Sequence, residues 1–184
     1  PREIRCVLGE IIKTGALDAD ILDKLERNAE RLFDLAFLEE ITADCVRFKA
    51  GVVEKDECER SGLRKCLNMG HTTGHALELF YKRRSHGEYV LIGMLLESYI
   101  AETFDMCAHD YAEELRALIG KGVKRVPRFE NIADAAGVAL YDKKNQGENE
   151  VSLIVPAKRG EFAELRLTDE DYVGYIEEIA GGLA

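Results

Sequence analysis

The sequence predicts a mainly α protein: a multi-helix, bundle-like domain closed by one small β-hairpin near the C-terminus. Three observations carry this. Apolar residues recur at spacings of three and four through most of the 184 residues. One stretch, 86–104, is apolar nearly all round its first half, the pattern of a helix enclosed by others. Strand-like runs are confined to 151–155 and 163–167, on either side of Lys158-Arg159-Gly160.

Taken in order, Ile4, Val7, Leu8, Ile11 and Ile12 set a first helix over 2–14, which Gly15 is expected to stop as a C-terminal cap. Glu10 and Lys13 share one face of it and alone would read as a surface ion pair. Asp18 is a candidate N-cap for a second helix through Ile21, Leu22, Leu25 and Leu32, with a break near Asn28. A third helix, 35–54, is amphipathic through Leu38, Ile41, Cys45, Val46 and Val53, and it carries Lys49 near its end, where a cation suits the dipole. The charged stretch 56–63, containing Ser61-Gly62, reads as a loop.

From there Arg64, Asn68, His71, His75 and Glu78 fall at spacings of 4, 3, 4 and 3, which on one continuous helix makes a single stripe. Such stripes are usually apolar; this one is polar and ionisable. Gly70 and Gly74 would each cost about 1 kcal/mol in a helix interior. Both suit a place where another backbone or a ligand comes close. Ser85 can cap the central helix 86–104, with His86 in its first turn, where the dipole favours a neutral imidazole. Helices over 111–119 and 132–136 are separated by a loop at Pro127. Residues 142–147 form a charged turn before the hairpin, and a last helix, 170–179, takes Thr168 or Asp169 as its cap.

The length fits one domain, or one large and one small lobe. A 46% hydrophobic and 33% charged composition is that of a soluble globular chain. The net charge of -10 disfavours nucleic acid or an anionic membrane as partner. Five scattered cysteines without a C-x-x-C pair point to reduced thiols in a cytoplasmic setting, and no membrane span or signal peptide is evident. The chain starts on Pro1 and enters a helical pattern at once, so a piece of a longer protein is expected.

Three of the four histidines lie within sixteen positions, two of them as His71-x-x-x-His75, a spacing that can bring two imidazoles to one divalent cation. Thr72 stands where a zinc protease would carry glutamate, which argues against that chemistry. Two histidines and a carboxylate with an open position remain, and Glu10, Glu78 and Glu88 are all candidates for the carboxylate. Lys13, Lys49 and Arg64 would make a local anion site. The residues therefore point to a metal-assisted enzyme acting on a small anionic substrate.

Several segments carry a specific resemblance: Gly9-Glu10-Ile11-Ile12-Lys13-Thr14-Gly15, Lys49-Ala50-Gly51-Val52-Val53 with Asp56-Glu57, Gly62-Leu63-Arg64, the run from Leu67 to Ala76, His86-Gly87-Glu88 with Gly93-Met94, and Asp142-Lys143-Lys144. In combination they resemble the C-terminal, mostly helical domain of the 3-dehydroquinate synthase family, over most of residues 1–184. The resemblance implies that Glu10, His71 and His86 hold the metal, Zn2+ or Co2+. It further implies that Lys13, Lys49, Arg64, Asn68 and His75 bind the substrate, with Lys13, Arg64, Asn68 and His75 as catalytic residues. Glu59 matches a site glutamate across a segment one residue longer than the family pattern, and one of Lys143 and Lys144 should also reach the substrate.

The implied reaction converts 3-deoxy-D-arabino-heptulosonate 7-phosphate to 3-dehydroquinate and phosphate in the shikimate pathway, a phosphate-eliminating lyase step. NAD transiently oxidises a ring hydroxyl, phosphate leaves, the ketone is reduced back, and the ring opens and recloses by an aldol step. No glycine-rich loop follows a strand here, so NAD is expected on an N-terminal nucleotide-binding domain absent from this chain, with the full-length protein a homodimer and the fragment alone inactive. Weighed against this are a related cyclase of inosose or valiolone type, a metal-dependent polyol dehydrogenase, and a non-catalytic helical module with a fossil site.

Overall fold

A computed structural model describes residues 2–58, 60–123, 128–140 and 150–183. Among them are eight α-helices and one two-stranded antiparallel sheet, so the mainly α expectation holds. Glu59, Lys143, Lys144, the charged turn 142–147 and Pro127 lie outside the described residues.

Helix α1 is Arg2–Leu17. Gly15 does not end it: a methyl there would lie 2.7 Å from Leu25 Cδ1, so this glycine admits the neighbouring helix instead of capping its own. Asp18 caps α2 (Ala19–Arg27) by accepting the Ile21 amide, and Asn28 ends it as expected. Asp34 caps α3 (Leu35–Lys55), which buries Phe37, Leu38, Ile41, Cys45 and Val52. Val46 is 60% exposed, because it sits a 100° step round the helix from Cys45 and leaves the buried face.

The polar stripe is not one helix. A 3-10 segment, Leu63–Asn68, gives way at Gly70 to α4 (His71–Tyr81). Gly70 adopts φ 72, a left-handed conformation that a side chain rarely takes, so the chain turns there and restarts. Gly74 does lie inside a helix, and a methyl on it would meet the Tyr89 carbonyl at 2.8 Å.

Helix α5 (His86–Thr103) is the hub, buried along nearly its whole length and packed against α1, α4, α6 (His109–Gly122), the hairpin and the last helix. It opens with a capping box: Ser85 accepts from the Glu88 amide and the Glu88 carboxylate accepts from the Ser85 amide. Helix α7 (Ile132–Gly137) precedes the hairpin β1 (Glu150–Lys158) and β2 (Glu161–Thr168). Register pairs Val151 with Leu167 and Leu153 with Leu165, and those four side chains face the core. Thr168 Oγ accepts the Asp171 amide at the start of α8 (Asp169–Leu183), which settles the choice of cap.

Two of the crossings on α5, those with α1 and α4, bring main chain against main chain. At the crossing of α1 and α5, Gly9 meets Gly87, and a methyl on Gly9 would lie 2.2 Å from the Gly87 carbonyl oxygen. Backbone touches backbone beside Glu10 and beside His86. Cys45, Cys66 and Cys107 are buried free thiols, and among the described residues no helix is long and apolar enough to cross a membrane.

Candidate metal centre and active site

Three helices deliver the site: Glu10 and Lys13 from the middle of α1, His71 and His75 from the first turns of α4, and His86 from the first position of α5. Lys49, in the last two turns of α3, completes it. Glu10 Oε2 takes both ammoniums, Lys13 Nζ at 3.0 Å and Lys49 Nζ at 2.5 Å. The surface-pair reading of Glu10 and Lys13 fails here: Lys13 is 2% exposed, and its Nζ also donates to the Leu67 carbonyl at 2.8 Å.

The other oxygen of Glu10 is treated differently. Oε1 is buried and has no hydrogen-bond partner, yet His71 Nε2 stands 3.5 Å from it and His86 Nε2 3.8 Å. What those nitrogens carry follows from their far sides. His71 Nδ1 faces the Met69 carbonyl at 3.1 Å, which can only accept, so Nδ1 is the protonated nitrogen and Nε2 holds a lone pair. His86 Nδ1 lies 2.8 Å from Glu78 Oε2, so in the neutral imidazole Nδ1 carries the proton and Nε2 the lone pair. With both imidazoles neutral, two nitrogen lone pairs face one anionic oxygen, and two imidazoles with a carboxylate suit a divalent transition ion such as Zn2+ or Co2+.

The charge states fit. Burial alone would raise the Glu10 carboxyl, but the ammoniums of Lys13 and Lys49 outweigh it and hold it at about 2. Burial and the Lys13 charge push the His71 imidazole down to about 4, keeping it neutral at pH 7. His75 is also lowered, by burial and the neighbouring His86. Its ring lies 5.0 Å from that of His71 and 5.3 Å from that of His86, and ligand nitrogens of all three lie within 4.8 Å of one another. His75 is therefore a rival to Glu10 for the third ligand position, but it is exposed where Glu10 Oε1 is buried.

Of the other carboxylates left open by the sequence, Glu78 holds His86 from behind, and Glu88 is occupied in the capping box and against Arg84. Asn68, His71, Thr72 and His75 line a cleft of about 780 Å³ whose far wall is the hairpin through Ser152, Glu164 and Arg166. Arg64 and Asn68 share a smaller adjoining cleft of about 220 Å³. The loop bearing Arg64 is organised by Asp56, whose carboxylate accepts from the amides of Arg60, Ser61 and Arg64. These contacts hold the Asp56 carboxyl well down, at about 2, despite the opposing effect of burial.

Two groups that position the site were given no role by the sequence. One is Asp56; the other is Glu97 of α5, 0% exposed, which accepts from the amides of Gly70 and Thr73. A single acid inside the apolar run of α5 was the signal available for it.

Solved structures share this architecture. A 2-epi-5-epi-valiolone synthase from Streptomyces hygroscopicus subsp. jinggangensis 5008, with NAD+ and Zn2+ bound, superposes with a TM-score of 0.79 at 18% identity, over 98% of this chain and 52% of that one. A 2-deoxy-scyllo-inosose synthase complexed with carbaglucose-6-phosphate, NAD+ and Co2+ gives 0.76 at 21%, over 97% and 52%. The chain shares the fold of these two synthases. The family model for the 3-dehydroquinate synthase C-terminal region matches residues 7–145, and the chain belongs to that family. The 3-dehydroquinate synthases of Alkaliphilus metalliredigens (strain QYMF) and Geobacter sp. (strain M21) are 35% and 42% identical over 95% and 98% of this chain. The chain spans about half the length of the curated relatives it matches.

Proposed function

We propose that this chain is the metal- and substrate-binding part of a 3-dehydroquinate synthase, acting on 3-deoxy-D-arabino-heptulosonate 7-phosphate together with a nucleotide-binding domain. The observation that carries the metal reading is the orphaned, buried Oε1 of Glu10 facing the Nε2 atoms of His71 and His86. In this reading Glu10, His71 and His86 hold Zn2+ or Co2+, and His75 faces the substrate. When bound, the cation supplies Lewis-acid polarisation of a substrate oxygen, and NAD supplies hydride acceptance and return.

The chain's own residues supply the rest. Lys13 and Lys49 keep the Glu10 carboxylate ionised, and Lys49, 35% exposed at its side chain, presents the remaining positive field to an anionic group. Arg64 and Asn68 flank the clefts with a planar cation and a neutral amide, suited to a carboxylate and a hydroxyl. His75, neutral at pH 7, can take a proton from a bound hydroxyl. Glu59 and one of Lys143 and Lys144 join the substrate site in this proposal on their sequence match alone.

The test is direct. Purified without chelator, the chain should retain close to one divalent cation, lose it on His71→Ala, and melt at lower temperature after EDTA treatment. With NAD and substrate it should form dehydroquinate only when a nucleotide-binding domain is supplied. Turnover by the chain alone would refute the two-domain reading, and the absence of metal would refute the site.

A further inference from the structure

Helix α4 begins at His71 without a capping side chain, because its N-cap is Gly70. The amides that a capping box would satisfy, those of the N-cap and of the third helical residue, are met from elsewhere. Glu97 Oε2 accepts the Gly70 N–H at 2.9 Å and Oε1 accepts the Thr73 N–H at 3.1 Å. One carboxylate from α5 thus does for α4 what Ser85 and Glu88 do jointly for α5. The Thr73 hydroxyl continues the contact to the fully buried Tyr172 at 3.1 Å. Among the described residues no cation lies against Glu97, and burying a carboxylate without one is costly.

The peptide group it grips explains its place. The Gly70 N–H and the Met69 C=O belong to the same amide, and that carbonyl accepts the Nδ1–H of His71. A continuous chain runs from the Glu97 carboxylate through the Met69–Gly70 amide to the imidazole whose Nε2 faces Glu10. Hydrogen bonds in series polarise one another, so an accepting oxygen on the amide N–H makes the carbonyl a better acceptor in turn. A better acceptor at Nδ1 fixes the tautomer and makes Nε2 a stronger ligand. His86 has the direct version of this arrangement through Glu78.

We infer that Glu97 is a positioning residue for the metal centre, acting on His71 through the Met69–Gly70 peptide group. The inference rests on the metal reading of His71, and its test separates the two. In the metal-free chain, 15N NMR should find His71 as the Nδ1–H tautomer, and Glu97→Gln, which keeps the shape but replaces one acceptor oxygen with a donor, should lower that population. Cobalt titration followed by its visible absorption should then give roughly tenfold weaker binding in Glu97→Gln. Glu102→Gln, elsewhere on α5 and paired with Arg116 and His109, controls for lost stability and should leave both readouts unchanged.

An unaltered His71 tautomer in folded Glu97→Gln would overturn the inference. So would an equal loss of cobalt affinity in Glu102→Gln. A tautomer shift in a chain that binds no cobalt would leave the relay standing and refute the metal reading instead.

Discussion

Two charged clusters in this molecule use the same residue types to opposite ends. Around Arg159, Asp23, Glu26 and Glu114 accept from both terminal nitrogens of one guanidinium, so three carboxylates surround one cation and every participant is satisfied. The hydrogen bonds it donates to Glu26 and Asp23 push the guanidinium still further from deprotonation. Around Glu10 the balance is reversed: two ammoniums converge on one oxygen, and the other oxygen is left facing the Nε2 atoms of His71 and His86. The first cluster ties α2, α6 and the hairpin turn together and asks nothing further. The second leaves a buried carboxylate oxygen without a hydrogen-bond partner. Incomplete pairing in a buried place, not the number of charges, separates a site from a brace.

The strongest way to test that difference is to remove the incomplete acceptor. Glu10→Gln should weaken cobalt or zinc binding by at least about 100-fold, beyond the 10- to 100-fold typical of an outer partner. It should also cost about 3 kcal/mol in urea unfolding, because Lys13 is then buried without its counter-charge. Binding within tenfold of wild type would erase the contrast.

Acid provides the next test. His71 is depressed from 6.5 to about 4 in the folded chain, so between those values the unfolded state binds more protons. Its contribution to stability is complete above pH 6.5 and is lost as pH falls toward 4. Metal-free wild type, measured against His71→Gln, should lose about 2 kcal/mol of relative stability between pH 7.5 and 4.5. Taking the difference removes Glu97, whose carboxyl, raised by burial to about 7, acts in the opposite direction.

Arg159→Ala should have a smaller effect. With its side chain 34% exposed and Glu114 half-exposed, the brace should be worth about 1 kcal/mol or less, and its loss should leave metal binding untouched. Smallest of all, raising salt from 0.05 to 0.5 M, a range of ionic strength over which exposed pairs are screened, should erode the Arg159 contribution by a few tenths of a kcal/mol. Thermal melts of wild type and Arg159→Ala should converge in salt, whereas wild type and Glu10→Gln should stay apart.

Most helices were legible because helical periodicity, Asp18 and Ser85 are local signals, and α5 announced itself by being apolar nearly all round. Glu10, Lys49, His71, His75 and His86 were legible as a set through the resemblance of their motifs, while their spacing alone left three carboxylates open. What could not be read was anything set by contact across the chain. Gly15 reads as a cap until Leu25 is packed on it, and Val46 reads as core until the exact pitch of α3 carries it out. The stripe from Arg64 to Glu78 has helical spacing throughout, yet the chain breaks at Gly70, which takes a left-handed φ at a place where a side chain would collide with Met94 and the Val90 carbonyl. Glu97 has no meaning until α4 lies against α5.

The meeting of Gly9 and Gly87 has a thermal consequence. A crossing made of two main chains contains no rotamers to freeze on folding and none to loosen on warming. Glu10 follows one of these glycines and His86 precedes the other, so their separation is set by main chains in contact rather than by adjustable side chains. As the proposed ligands, Glu10 and His86 should therefore hold their spacing up to the melting transition, and cation release on heating should coincide with cooperative unfolding rather than precede it.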